Sequence, residues 1–146
     1  MEEARANGQK FALILIDVDN FKDVNDSLGH QTGDDAIQYV AQALNSVLPS
    51  PNVVARLGGD EFVAVVPQCP DLATATEIAE KVIEAFEQPF QFGETMIPLS
   101  VSIGVSLFPD HGSTQHALIK HADIAMYEAK QLGRRRYVIS GAPFGP

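Results

Sequence analysis

An α+β fold, with a central mixed or antiparallel sheet flanked by helices, is predicted by three observations. A six-residue apolar run, Phe11-Ala-Leu-Ile-Leu-Ile16, is bounded by polar residues and reads as a strand buried on both faces. Two β-branched runs, Val53-Val54 and Val63-Ala-Val-Val66, flank Gly58-Gly59 and read as a tight hairpin, since glycine takes φ > 0 without a Cβ clash. Stretches of helical periodicity lie between the strands and supply the packing layers. Hairpin strands are antiparallel, so the sheet cannot be wholly parallel.

The elements follow in order. Residues 2–9 are polar and Ala-rich, like a helix end closed by Gly8. After the first strand, residues 20–32 read as a short helical turn and loop. Thr32-Gly-Asp-Asp35 then resembles a capping box with Asp in place of Glu. Ile37, Val40, Ala41, Leu44, Val47 and Leu48 form one apolar helix face, which Pro49-Ser-Pro51 stops. The hairpin strands come next, ended by Pro67. A second amphipathic helix carries Leu72, Ala75, Ile78, Ala79, Val82 and Phe86, and a small hairpin turns about Gly93-Glu94. Leu99 to Leu107 alternates at period two and reads as a strand with one packed face. A third helix, Thr114 to Leu132, buries Leu118, Ala122, Ala125, Met126 and Ala129, with Gly133 as its C-cap and Tyr137-Val-Ile139 as a last strand.

At 146 residues this is one domain with room for a core. Its single cysteine, Cys69, excludes an intramolecular disulfide, fits a reducing, cytoplasmic setting and has no basic neighbour to activate it. No apolar run approaches the roughly 18 residues of a membrane span. A net charge of −9 argues against a sequence-independent grip on nucleic acid, and a polyanionic substrate would need metal ions and a few placed cations. His111, His116 and His121 recur every five residues, about 140° apart on a helix, and read as surface residues rather than zinc ligands.

The chemistry gathers at two strand ends. The buried run stops in Asp17-Val-Asp19, whose carboxylates are costly there unless they are paired or hold a metal. Hard oxygen ligands suit Mg²⁺, which commonly also binds substrate phosphates. With the hairpin beside this strand, Asp17, Asp60 and Glu61 converge on one cation. A lone Gly-Gly-Asp-Glu would be read as a hairpin with solvated acids. Its pairing with the acid-ended strand is what makes it specific.

Asp17-Val-Asp-Asn-Phe-Lys-Asp-Val-Asn-Asp-Ser-Leu-Gly-His-Gln-Thr-Gly-Asp34, then Arg56-Leu-Gly-Gly-Asp-Glu-Phe62, Ser102-Ile-Gly-Val-Ser106 and Ala122-Asp-Ile-Ala-Met-Tyr-Glu-Ala-Lys-Gln-Leu-Gly-Arg134 resemble the GGDEF family of diguanylate cyclases over nearly the whole chain. The resemblance implies a ferredoxin-like palm, as in nucleotide cyclases and polymerases. It implies condensation of two GTP to cyclic di-GMP with release of pyrophosphate, by a homodimer using Mg²⁺, with Mn²⁺ as an alternative. In this reading Asp17, the Val18 carbonyl, Asp60 and Glu61 form the metal site, Asp60 and Glu61 are both candidates for the base with the division between them open, and Asp19 has a weaker claim. Asn25 and Asp34 read guanine with His30 nearby, while Lys22, Lys130 and Arg134 contact phosphates. On the residues alone, Asn25 is as readily a turn residue, and Asp34, Lys130 and Arg134 are ordinary partners of helix dipoles.

The family's Arg-x-x-Asp product site falls on Pro49-Ser-Pro-Asn52, which has neither charge, so this inhibitory site is expected to be lost. The Asp-x-Leu-Thr-Gly-Leu-x-Asn turn that usually precedes the domain has no match. The expected unit is therefore residues 1–140 without the usual amino-terminal segment, with 141–146 a loose tail or linker toward possible fused sensory or EAL domains. The rival function is a non-catalytic GTP-binding module that regulates an attached domain such as an EAL phosphodiesterase.

Overall fold

The computed structural model describes residues 10–141; the expected helix end before Gly8 and all but one residue of the expected tail lie outside them. Strand β1 (Phe11–Val18) leads into helices α1 (Phe21–Leu28) and α2 (His30–Val47). The hairpin of β2 (Val53–Gly58) and β3 (Glu61–Val66) precedes α3 (Leu72–Glu84) and the small hairpin β4 (Phe90–Phe92) and β5 (Thr95–Ile97). Strand β6 (Val101–Phe108), helix α4 (Gln115–Gln131) and β7 (Tyr137–Ile139) complete it. The main sheet runs β2-β3-β1-β6-β7, with β1 antiparallel to both β3 and β6 and β7 parallel to β6. That order is the ferredoxin-like arrangement with one added edge strand.

Helices α2 and α3 cover one face, burying Ala36, Ile37, Val40, Leu44, Ala75, Ala79 and Val82 with Ile14, Ile16 and Ile103. Helix α4 covers the other face through Leu118, Ala122 and Met126 against Leu13, Leu15, Phe11 and Phe108. Sandwiching buries all eight residues of β1, as its unbroken apolar run predicts.

Four expectations are corrected. All eight residues of β6 are buried, so both of its faces are packed. The alternate residues Ser102, Gly104 and Ser106 are small because α4 lies close over them, and the Ser106 hydroxyl donates to the Leu118 carbonyl at 2.8 Å. The stretch after β1 is a full eight-residue helix, α1, that buries no residue completely; Phe21 and Val24 rest half-buried on the core. Helix α2 begins at His30, ahead of the expected capping box, because Gly29 at φ 92° supplies the break and Thr32 already lies inside the first turn. Leu72 opens α3 and is exposed, the buried stripe of that helix beginning only at Ala75.

Candidate active site

The hairpin tip is fixed against the end of β1. The Val18 N–H donates to the Asp60 carbonyl at 3.0 Å, and the β1–β3 register sets Asp17 opposite Glu61. Gly58 pairs with Glu61 across a register shift after Arg56, so the turn residues are Gly59-Asp60, one position later than expected. Gly59 takes φ 53°, which glycine adopts freely. Arg56 braces this turn, donating from Nε and Nη2 to the Gly59 carbonyl at 3.0 and 2.6 Å. The sequence reading gave Arg56 no role.

Asp17 is buried at 7% exposure. Lys130, in the last turn of α4, donates to its Oδ2. Its Oδ1 meets no donor and is the sole buried side-chain polar atom left so among the described residues. Burial is the main force raising the Asp17 pKa to about 6; the Lys130 hydrogen bond opposes that rise and the neighbouring Asp60 carboxylate adds to it. No three carboxylate, imidazole or thiol groups among the described residues form a ready metal cluster. The tight convergence expected of Asp17, Asp60 and Glu61 is thus modified, because an ammonium takes one Asp17 oxygen. The donor set still fits a hard cation: an orphaned buried carboxylate oxygen, a second carboxylate pressing on it, and Glu61 across the strand pair.

Asp17, Glu61 and Lys130 share a cleft of about 380 Å³ with Asp123, Ile124, Met126 and Tyr127. Sequence reasoning missed Asp123, Ile124 and Tyr127 as cleft residues. The available signal was Ile124 and Tyr127, apolar yet off the buried stripe of α4, and both are exposed. Asp19, by contrast, is wholly engaged by protein: it accepts from the Ser100 and Ser102 hydroxyls at 2.7 and 2.6 Å and from the Arg135 N–H at 3.1 Å.

On the far side of β1, α1 lies against the first turn of α2. A Cβ on Gly33 would stand 2.3 Å from Asn25 Oδ1, so glycine there lets the Asn25 amide rest on the α2 backbone, next to Asp34 in sequence. Asp34, His30, Lys22 and Arg134 are exposed, and their side chains make no hydrogen bond or ion pair among the described residues. The fold therefore brings Asp17, Asp60, Glu61 and Lys130 together and sets Asn25 at the α2 turn, while the other four stand open around them. His116 and His121 are exposed as expected, but His111 is half-buried, its Nδ1 accepting the Leu107 N–H at 2.8 Å. Cys69 is buried, and burial pushes its thiol up.

Residues 1–136 match the family described as diguanylate cyclase, GGDEF domain, and the chain belongs to it. It is 39% identical over 137 residues to the bifunctional diguanylate cyclase/cyclic di-GMP phosphodiesterase MucR of Pseudomonas aeruginosa, covering 94% of this chain and 20% of that protein. It is 36% identical over 135 residues to diguanylate cyclase TpbB of the same species, covering 92% and 31%. It is 38% identical over 134 residues to cyclic di-GMP phosphodiesterase PdeR of Escherichia coli, covering 92% and 20%. The chain thus spans a third or less of these relatives. Among solved structures, the GGDEF domain of TpbB from P. aeruginosa superposes with TM-score 0.93 at 34% identity, covering 97% of this chain and 89% of that one. The GGDEF domain of DgcB from Caulobacter crescentus, in complex with c-di-GMP, superposes with TM-score 0.88 at 31% identity, covering 97% and 84%. No helix among the described residues is long and apolar enough to cross a membrane.

Proposed function

We propose that residues 1–140 form a diguanylate cyclase domain, cytoplasmic, that joins two GTP into cyclic di-GMP, with 141–146 a tail or linker toward further domains. The observation that carries this reading is the acid cleft at the end of β1: Asp17 with one orphaned oxygen, Asp60 pressing on it and Glu61 opposite. Asp17, the Val18 carbonyl, Asp60 and Glu61 would hold Mg²⁺ or Mn²⁺. A divalent cation there supplies charge neutralisation at the triphosphate and acidifies the attacking hydroxyl.

Asp60 or Glu61, both half-buried beside Asp17, accepts the proton of the 3′-hydroxyl of one GTP. The 3′ oxygen forms its bond to the α-phosphorus of the other GTP as the bond to the β-phosphate bridge breaks, and pyrophosphate leaves. Lys22, Lys130 and Arg134 hold the phosphates. Lys130 already bonds Asp17, so it links the acid cluster to the phosphate site. Asn25 and Asp34 take the guanine edge, with His30 beside them. Each domain holds one GTP, so two copies must face each other.

The rival, a GTP-binding regulator of an attached phosphodiesterase, draws on relatives named as phosphodiesterases, such as PdeR. Incubation with GTP and Mg²⁺ decides between them: formation of cyclic di-GMP, abolished in a folded Asp60→Asn variant, supports the cyclase. GTP binding without product supports the regulator.

A further inference from the structure

Asp19 has no task in the reaction above, yet it is among the few buried charged side chains, at 6% exposure. Its surroundings define a clamp. The Asp19 N–H donates to the Ser100 carbonyl at 2.9 Å, and its carboxylate accepts from both serine hydroxyls, which ties the end of β1 to the start of β6. Oδ2 also takes the Arg135 N–H, at 3.1 Å. Arg135 lies in the turn between α4 and β7, where Gly133, Arg134 and Arg135 have φ of 122°, 64° and 54°. Two of these are not glycine, and a side chain in the left-handed region persists only where surrounding contacts hold it.

The turn is otherwise anchored by backbone bonds at its two ends and by the Arg136 Nε, which donates to the Arg134 carbonyl at 2.9 Å. The Arg134 N–H reaches back to the Ala129 carbonyl, and the Arg136 carbonyl accepts from the Ile103 N–H, each at 3.0 Å. Between these anchors, the Asp19 carboxylate is the grip on the second left-handed residue. The conformation it holds sets the direction in which Arg134 leaves the backbone, four residues beyond Lys130 and outside the helix.

We propose that Asp19 is a positioning residue for nucleotide binding: it holds the Gly133–Arg136 turn so that the Arg134 guanidinium is presented to the triphosphate. This rests on the cyclase reading only in assigning Arg134 to phosphate. Asp19 itself touches neither nucleotide nor cation. Its partners are two hydroxyls and an amide, and both of its oxygens are engaged by protein.

The test is a double-mutant cycle on GTP binding, measured by calorimetry with Mg²⁺ present and 3′-deoxy-GTP as the GTP, which lacks the attacking hydroxyl, so that turnover plays no part. Asp19→Ala should weaken GTP about tenfold, the size of one charged hydrogen bond lost. In an Arg134→Ala background the same change should weaken it less than about twofold, because the group being positioned is already gone. Thermal melting should fall equally in both backgrounds. Equal losses of affinity in the two backgrounds would show Asp19 to be merely structural and overturn the proposal, as would a folded Asp19→Ala that binds GTP normally. Should Asp19→Ala not fold, Asp19→Asn carries the same comparison, since it keeps the volume and one acceptor. Failure of the unmutated chain to bind GTP would instead overturn the functional reading.

Discussion

Asp34 projects from α2 just past its first turn with its side chain open, and its proposed task is to read a base. Guanine offers N1–H and the 2-amino group, two donors that one carboxylate accepts together; adenine offers a bare N1 and no 2-amino group. A site built to pair a polar group rejects the analogue lacking it by up to roughly 10⁴-fold. Asp34→Asn should therefore weaken GTP far more than ATP and narrow their ratio, and an unchanged ratio of the two affinities would return Asp34 to a helix-start role. At His111 the chemistry concerns stability. Burial chiefly lowers its pKa, and His121 adds to that while Asp110 opposes it. The unprotonated Nδ1 accepts the Leu107 N–H, so protonation at that nitrogen breaks a bond. The folded pKa lies below the unfolded value, so this stabilisation is complete above the usual histidine range and is lost as pH falls through the folded pKa. Asp17, with its folded pKa raised to about 6, shifts stability the other way over the same range, so the readout for His111 is a difference: the excess urea midpoint of the wild type over His111→Gln should shrink as pH falls from 7.5 to 5. A difference that stays constant with pH would show that His111 does not titrate against the Leu107 bond.

At the scale of elements, what could be read from the sequence was whatever a period or a stop signal encodes. The buried β1, the core face of α4 and the small hairpin at Gly93-Glu94 stand where the pattern puts them. β6 was misread because period two records side-chain size as well as polarity: Ser102, Gly104 and Ser106 are small for the sake of α4, and hydrogen bonding to Asp19 and Leu118 makes the buried hydroxyls tolerable. The start of α2 was misread because a glycine at positive φ can end one helix and open the next, a conformational fact with no local periodicity. In the site, the acids at the strand ends were legible as a pair of signals. The Lys130 contact and the α4 residues of the cleft were not, because each depends on a partner distant in sequence; the Arg56 brace was not, because it depends on the turn falling at Gly59-Asp60 and carries no pattern of its own. Gly104 shows how tightly β6 and α4 are joined. A Cβ there would lie 1.9 Å from the Ala122 carbonyl oxygen and 2.4 Å from the Met126 nitrogen, both backbone atoms that cannot rotate aside. Gly104→Ala should destabilise the fold by about 1–3 kcal/mol or more through overpacking, read as a lower urea midpoint with unchanged slope. Stability equal to wild type would mean that α4 shifts without penalty.

At the scale of the whole molecule, the proposed reaction has a symmetry that one chain cannot satisfy. Among the described residues the acid cleft occurs once, at the end of β1, and a single α1–α2 turn is available to read guanine. Cyclic di-GMP contains two 3′,5′ linkages between two identical nucleotides, so each 3′-hydroxyl must meet the α-phosphate held by another copy. Two GTP-loaded domains with their clefts opposed supply both linkages from one set of residues, by a two-fold axis through the product. The edges of the cleft suit such an encounter, since Ile124 and Tyr127 are exposed apolar side chains beside the acids and Leu57 is exposed just before the hairpin tip. A net charge of −9 on each copy opposes the approach at low ionic strength, and moderate salt screens that repulsion. Specific activity should consequently rise with protein concentration and level off once dimers predominate. Below that plateau it should increase between about 10 and 150 mM salt, as the Debye length shrinks from roughly 30 to 8 Å. Initial rates across a hundredfold dilution series, with light scattering on the same samples, test both points. A flat specific activity from a protein that scatters as a monomer throughout would defeat the two-domain mechanism.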